Sequence, residues 1–330
     1  MQRSLLLALV LCTIVCCVNS SIPLPVFDCP NVKIPPIPSN VRNLHPGHIK
    51  AVMAMGDSMT AGFAMQTAVP PLDILEWRGW VYSIGGHKDA LTVANYLRFY
   101  NPDLQGSPTW WSYPMTKGMD LNAAVSMAKV QALPEQVVYL KQQLLTKYAD
   151  TISFEDDWKL LTIFIGANNI CVCCNNETSG QPAFFEKQLR LVLQEVTDTI
   201  PKVFVNIMTI FNISQVWDEG HTHDYCNFVE HHVNECPCLN DDRNGANLKA
   251  MDEHSRLFNA ITYKVAAEFS ALNNDTFTVV VQPAVENLEF VQYGEAFLSD
   301  LDCFHPSYHA DVGIGVGLWN NMFAPPAEKK

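Results

Sequence analysis

Three short stretches of this chain bring together the residue types that acyl-transfer chemistry requires. Gly56-Asp57-Ser58-Met59-Thr60-Ala61-Gly62 places a serine directly after an apolar run. A serine between the carboxyl end of a strand and the start of a helix sits where α/β sheets bind ligands. Backbone donors at a helix N-terminus also favour an oxyanion. The plainer reading is a helix-capping serine between turn glycines. Asp302-Cys303-Phe304-His305-Pro306 sets an acid three residues before a histidine. That spacing can rest the carboxylate on one ring nitrogen and leave the other free to take a serine proton. Asp300 is a rival carboxylate, but its five-residue separation fits the arrangement less well. Gly166-Ala167-Asn168-Asn169 follows another apolar run, and a side-chain amide there could donate to a developing oxyanion. Asparagine after a strand is also an ordinary turn residue.

These residues need elements to hold them. Lys50–Met55, Leu160–Ile165, Val203–Ile210 and Phe277–Gln282 are continuous apolar runs, as parallel strands buried on both faces require. Between them, Pro134–Tyr148, Ala183–Thr199 and Asn247–Leu272 read as helices, and Tyr308–Phe323 closes the chain as a fourth. Strands alternating with helices predict an α/β domain with a parallel sheet. No repeat or change of composition marks a second domain. The segment Asp218–Asn247 is polar and rich in His and Cys, which predicts a disulfide-tied excursion.

Serine, asparagine and the Asp-His pair, in that order and each after an apolar run, resemble the SGNH or GDSL hydrolase superfamily. Further words look like its phospholipase B branch: Trp77-Arg78-Gly79-Trp80-Val81-Tyr82-Ser83-Ile84-Gly85-Gly86, Asp157-Trp158-Lys159, Cys171 after the asparagine motif, the Asp302–Pro306 stretch, and Leu318-Trp319-Asn320-Asn321-Met322. The resemblance runs from Gly56 to Met322. It implies a three-layer α/β/α, flavodoxin-like fold. It implies a serine esterase acting on phospholipid or other lipid esters without a cofactor or metal. By motif position Ser58 is then the nucleophile, His305 the base and Asp302 its orienting carboxylate. Asn168 and the backbone N–H of Ser58 would serve the oxyanion hole. Two departures stand out. Met127 occupies a position where the family has a glycine whose backbone N–H completes the hole. Methionine cannot reach every glycine conformation, so glycine there is expected to raise turnover if the wild type is slow. Asn169 replaces a carboxylate whose usual role is loop support. Both leave open a weakened relative that binds lipid, and a carbohydrate esterase of the same fold is a further alternative.

Composition bounds the setting. Of 330 residues, 48% are hydrophobic and 17% charged, as in a globular chain, and the net charge of −13 argues against a nucleic-acid partner. Met1–Arg3, an apolar run over Ser4–Val18 and the small or compact residues Val18-Asn19-Ser20 follow the order of a secretory signal peptide, the apolar run being shorter than the ~20 residues of a membrane span. The expected organisation is a signal over 1–20, a proline-rich arm over 21–47 and one esterase domain over 48–330. A released protein without a transmembrane anchor is expected. Cys29, Cys171, Cys173, Cys174, Cys226, Cys236, Cys238 and Cys303 remain after the signal, an even set that predicts disulfides, with pairing left open. Asn176, Asn212 and Asn274 begin glycosylation sequons. His221, His223, His231, His232, Cys236 and Cys238 crowd one segment as zinc ligands would, but their spacing matches no common finger and a secreted setting favours disulfides. Trp110-Trp111 would suit a lipid surface if exposed, and a loop-covered packing pair otherwise.

Overall fold

β-Branched and other apolar residues dominate the four strands, and a sheet covered on both faces is where such runs are stable. In the computed structural model, which describes residues 32–66, 75–113, 116–220, 224–240, 245–292 and 296–329, they form β1 (Ile49–Gly56), β2 (Trp158–Phe164), β3 (Val203–Met208) and β4 (Phe277–Gln282). The strands pair in parallel in the order β1-β2-β3-β4. The free edge of β1 is covered by two isolated parallel bridges, Ala51 to Gln105 and Ala54 to Asn122. An irregular segment thus takes the place of a fifth strand beside β1, as a flavodoxin-like order requires.

Every residue of β2 is buried, Lys159 included. Its ammonium donates to the carbonyls of Phe154, Asp157 and Pro201 at 2.6, 2.8 and 3.0 Å, and burial pushes its pKa down to about 8. Three carbonyl acceptors make a buried cation tolerable at the bottom of the sheet.

The helices are α1 (Ser58–Ala61), α2 (Val93–Tyr100), α3 (Leu133–Leu145), α4 (Ala167–Ile170), α5 (Pro182–Thr199), α6 (Ser214–Gly220), α7 (Asp224–His232), α8 (Pro237–Asn240), α9 (Ala246–Ser270) and α10 (Tyr308–Phe323). α5 packs on α3 and α9, while α10 packs on α2 and β4. The sheet with its flanking helices is a three-layer α/β/α arrangement. Three of the four helices expected from the sequence begin one residue early, and the last matches its limits. α2 was not expected: it is short and starts from the Thr92 side chain, which caps Asn95. No described helix is long and apolar enough to cross a membrane.

Of the proline-rich arm, the described part lies on the sheet's lower end. The indole N–H of Trp158 donates to the Pro38 carbonyl at 3.2 Å, and the His48 ring meets the Pro35 carbonyl at 2.8 Å. The signal segment and Cys29 lie outside the described residues.

Candidate active site

β1 ends at Gly56, where close packing permits no side chain: a Cβ would come within 2.4 Å of the Phe164 carbonyl oxygen and 2.6 Å of the Thr60 hydroxyl. The Gln136 amide of α3 grips the same residue, accepting from its N–H and donating to its carbonyl, each at 2.8 Å. The chain then turns into α1. The cap of this helix is Asp57, whose carboxylate accepts from Met59 N–H at 3.1 Å. Ser58 is therefore not the capping residue, and its hydroxyl is left for another partner.

That partner is His305. Its Nε2 lies 2.7 Å from Ser58 Oγ, and its Nδ1 lies 2.7 Å from Asp302 Oδ2. The other oxygen of Asp302 accepts the backbone N–H groups of Phe304 and His305, each at 3.0 Å. These bonds fix the carboxylate to the loop that carries the histidine. Asp300 is exposed at the surface, so the three-residue spacing, not the five, is the one used. The rings of Phe63 and Phe304 stand edge-on to His305 with centroids 5.2 and 5.1 Å away.

Asn168 projects from α4 and lines a narrow pocket with Ser58, His305 and the apolar residues Met59, Phe211 and Val216. Its amide nitrogen donates to the Ala128 carbonyl at 3.1 Å, which leaves one N–H of the amide for a ligand. The neighbouring Asn169 is fully buried and does a different job. It accepts from Val130 N–H at 2.9 Å and donates to the Ser179 carbonyl at 2.7 Å. A carboxylate could not make the second bond, so asparagine suits this loop as it stands.

Met127 is where the structure departs from expectation. Its φ is +67°, in the left-handed region, so the backbone already holds the conformation in which a glycine would be free. Its side chain is 78% exposed and is not among the groups lining the Ser58 pocket.

A serine–histidine–aspartate relay at the top of a parallel sheet coincides with the match of the GDSL-like lipase/acylhydrolase family model, which covers residues 52–311. The chain belongs to this family, whose members are serine ester hydrolases. Membrane-associated phospholipase B1 of rat is 33% identical over 323 residues, covering 92% of this chain and 22% of the relative. The human protein of that name is 32% identical over 307 residues, covering 89% and 21%. The chain therefore spans about a fifth of the length of these relatives. Among solved structures, an acetylxylan esterase of Geobacillus stearothermophilus aligns at 14% identity and TM-score 0.40, covering 84% of this chain and 95% of its own. Phospholipase A1 of Streptomyces albidoflavus aligns at 13% and 0.40, covering 82% and 98%.

The GDSL site rests on a buried ion pair of which the sequence motif holds only Arg78; Glu76 precedes it. Arg78 and Glu76 meet at 2.6 Å, both buried. Arg78 also donates to the carbonyls of Asn122 and Ala124 at 3.0 and 2.8 Å, and Glu76 accepts the Ser126 hydroxyl at 2.7 Å. The loop leading into Met127 is thus clamped to one buried pair.

A second group was also missed. Glu235 Oε2 lies 3.8 Å from His305 Nδ1, buried and with no hydrogen-bond partner. The histidine stands among competing influences. Burial alone would push its pKa down, but the charge and hydrogen bond of Asp302, then the charges of Glu235 and Asp57, raise it above the usual value. Burial raises Asp302 in turn, but His305 and the two backbone donors outweigh this and hold it below the usual carboxylate range. Burial pushes Glu235 to about 7 and Asp57 to about 6.

The Cys-rich excursion is tied down as expected, with one correction. Cys171–Cys236, Cys174–Cys238 and Cys226–Cys303 are bridged, but Cys173 is a free, buried thiol. Among the described residues Cys173 therefore has no disulfide partner: Cys171 and Cys174, on either side of it, take the two cysteines of the α8 segment, and Cys29 lies outside the described residues. With Cys236 and Cys238 in bridges, the zinc reading loses those two thiolates. His221 and His223 lie outside the described residues, as does the side chain of His231. Trp110 is 54% exposed and tilts against Trp80, while Trp111 is half-buried. Asn176 and Asn212 are exposed and Asn274 is half-buried.

Proposed function

We propose that this chain is a secreted serine esterase that hydrolyses lipid carboxylic esters, of the phospholipase B or lysophospholipase type, through an acyl-enzyme. The observation that carries the reading is the continuous Ser58–His305–Asp302 relay, with both contacts at 2.7 Å. A serine hydroxyl is a weak nucleophile at neutral pH and needs such a base. Ser58 Oγ attacks the ester carbonyl carbon while His305 Nε2 takes the hydroxyl proton. Asp302 holds the ring with Nδ1–H toward itself and stabilises the imidazolium. The oxyanion is received by the Asn168 amide and by the backbone N–H groups of Ser58 and Met127. His305 returns its proton to the departing alcohol. Water, deprotonated by the same nitrogen, then cleaves the acyl-serine, freeing the fatty acid and restoring Ser58.

The lipid preference is supported by the apolar wall of the pocket, which Phe211, Ile213, Val216 and Phe304 supply beside Ser58. The exposed ring of Trp110 supports contact with a lipid surface. Three disulfides support passage through an oxidising compartment. Glycans are proposed at Asn176, Asn212 and Asn274, and the proposed chemistry uses no metal.

The test combines a fluorophosphonate probe with fatty-acid release from phospholipids, lysophospholipids and acetylated sugars. Wild type should be labelled at Ser58 and Ser58→Ala should not. Ser58→Ala and His305→Ala should each lower turnover by about 10⁴-fold or more, with the double variant little worse, because the residues act as a unit. A folded wild type that neither labels nor turns over any ester would favour a lipid-binding relative. Turnover of acetylated sugars alone would favour the carbohydrate esterase.

A further inference from the structure

The relay described above leaves one ionisable group beside the histidine without a task. Glu235 reaches the site from the loop before α8, far from the Asp302–His305 loop in sequence. One ligand-type atom from each of Glu235, Asp302 and His305 falls within 4.8 Å of the others. Nδ1 of His305 already gives its hydrogen to Asp302, so Glu235 Oε2, at 3.8 Å, meets the ring as a charge and not as a hydrogen-bond acceptor.

We infer that Glu235 is a second carboxylate of the catalytic histidine, a positioning residue whose charge tunes the basicity of His305 and which the Cys171–Cys236 disulfide holds in place. Two observations meet in this assignment. First, a buried carboxylate oxygen with no hydrogen-bond partner is costly unless an opposite charge forms nearby. The imidazolium of His305 is such a charge. Second, the residue after Glu235 is anchored. Cys236 is bridged to Cys171, and Cys238 N–H donates to the Cys171 carbonyl at 3.0 Å. Cys171 directly follows α4 and itself lines the Ser58 pocket. One covalent link therefore fixes the oxyanion side of the pocket and the second carboxylate together.

The ionisable groups facing His305 are Asp302 on its own loop, Glu235 from the α8 segment and Asp57 from the β1–α1 turn. Phe63 and Phe304 close the remaining sides with apolar rings. Ionised Glu235 favours the protonated ring, so replacing it by a neutral isostere should make His305 lose its proton at lower pH.

The inference rests on His305 being the base of the proposed esterase, and the test separates the two. The His305 ring is followed by NMR through a pH titration of wild type, Glu235→Gln and Glu235→Asp, with His305→Ala to assign the signal. Fluorophosphonate labelling rates are taken over the same pH range. The midpoint should fall by about one pH unit in Glu235→Gln, as expected for loss of one nearby opposite charge, and by less in Glu235→Asp, which keeps the charge. The acid limb of labelling should move with it. A merely structural role would alter stability and leave both midpoints in place. An unchanged ring midpoint in folded Glu235→Gln overturns the inference, whatever the labelling. A shifted midpoint in Glu235→Gln, with a wild type that never labels, sustains the electrostatic contact and removes the esterase reading instead.

Discussion

Met127 shows how a single backbone angle changes what a substitution means. From the sequence, methionine in place of glycine threatens the oxyanion hole, because a side chain restricts the backbone. The backbone has paid that restriction already: φ is +67°, where a non-glycine residue stands at a cost of about 1–2 kcal/mol. Glycine would relieve this strain but loses more chain entropy on folding, about 0.5–1 kcal/mol in the other direction. With 78% of the side chain exposed, little packing is lost. Met127→Gly should therefore raise stability by about 0.5–1 kcal/mol in urea unfolding. Turnover should change by less than about threefold, since the backbone at Met127 already holds a conformation that glycine adopts freely. A tenfold rise would show that the methionine side chain obstructs the pocket. The relay itself was legible beforehand because its spacing is chemical: three residues from Asp302 to His305 let one loop deliver both groups. Glu235 was not legible, since only the fold brings it beside a histidine 70 residues later in the chain.

At the scale of elements, the strands were readable because burial on both faces leaves a continuous apolar run, and no register needs to be known to see it. The short helices α6, α7 and α8 were not, because disulfides and a polar loop hold them where no long hydrophobic stripe does. The clamp on the Met127 loop was hidden for a different reason. Arg78 and Glu76 are two residues apart in an aromatic stretch, and nothing in that spacing says that both are buried or that they hold residues 122–126. Removing one partner of such a pair leaves an uncompensated charge inside. Arg78→Leu should cost about 3–5 kcal/mol of stability and release the carbonyls of Asn122 and Ala124. Arg78→Leu with Glu76→Leu should be less destabilised than Arg78→Leu alone, because no orphaned charge remains. Both should turn over ester more slowly than wild type, since the loop loses its anchor. Equal unfolding midpoints for the single variant and wild type would show that the pair does not hold the loop.

At the scale of the whole molecule, three bridges among the described residues draw a contiguous stretch of sequence onto the site. Cys226–Cys303 joins α7 to the loop between Asp302 and His305, and Cys171–Cys236 joins α4 to the residue after Glu235. With a sequence separation of 65 from Cys171 to Cys236, closure of that loop is worth about 4 kcal/mol in the chain-entropy account. Cys174–Cys238 joins the same two segments, so once the first bridge is formed the second closes only a short ring and adds less. The even number of cysteines suggested that every one is oxidised, yet counting cannot reveal which neighbours fit. Cys173 stands between two bridged cysteines, is buried, and has its thiol pushed up to about 11 by burial. A thiol that is mostly protonated and out of solvent should resist alkylation. In the native protein Cys173 should therefore stay unmodified. After denaturation without reductant, peptide mapping should find it labelled, while Cys171, Cys174, Cys226, Cys236, Cys238 and Cys303 remain unlabelled until reductant is added. Recovery of Cys173 in a bridge to Cys29 would restore the fully oxidised set expected from the sequence. Labelling of Cys171 or Cys236 before reduction would remove the link that holds Glu235 at the histidine.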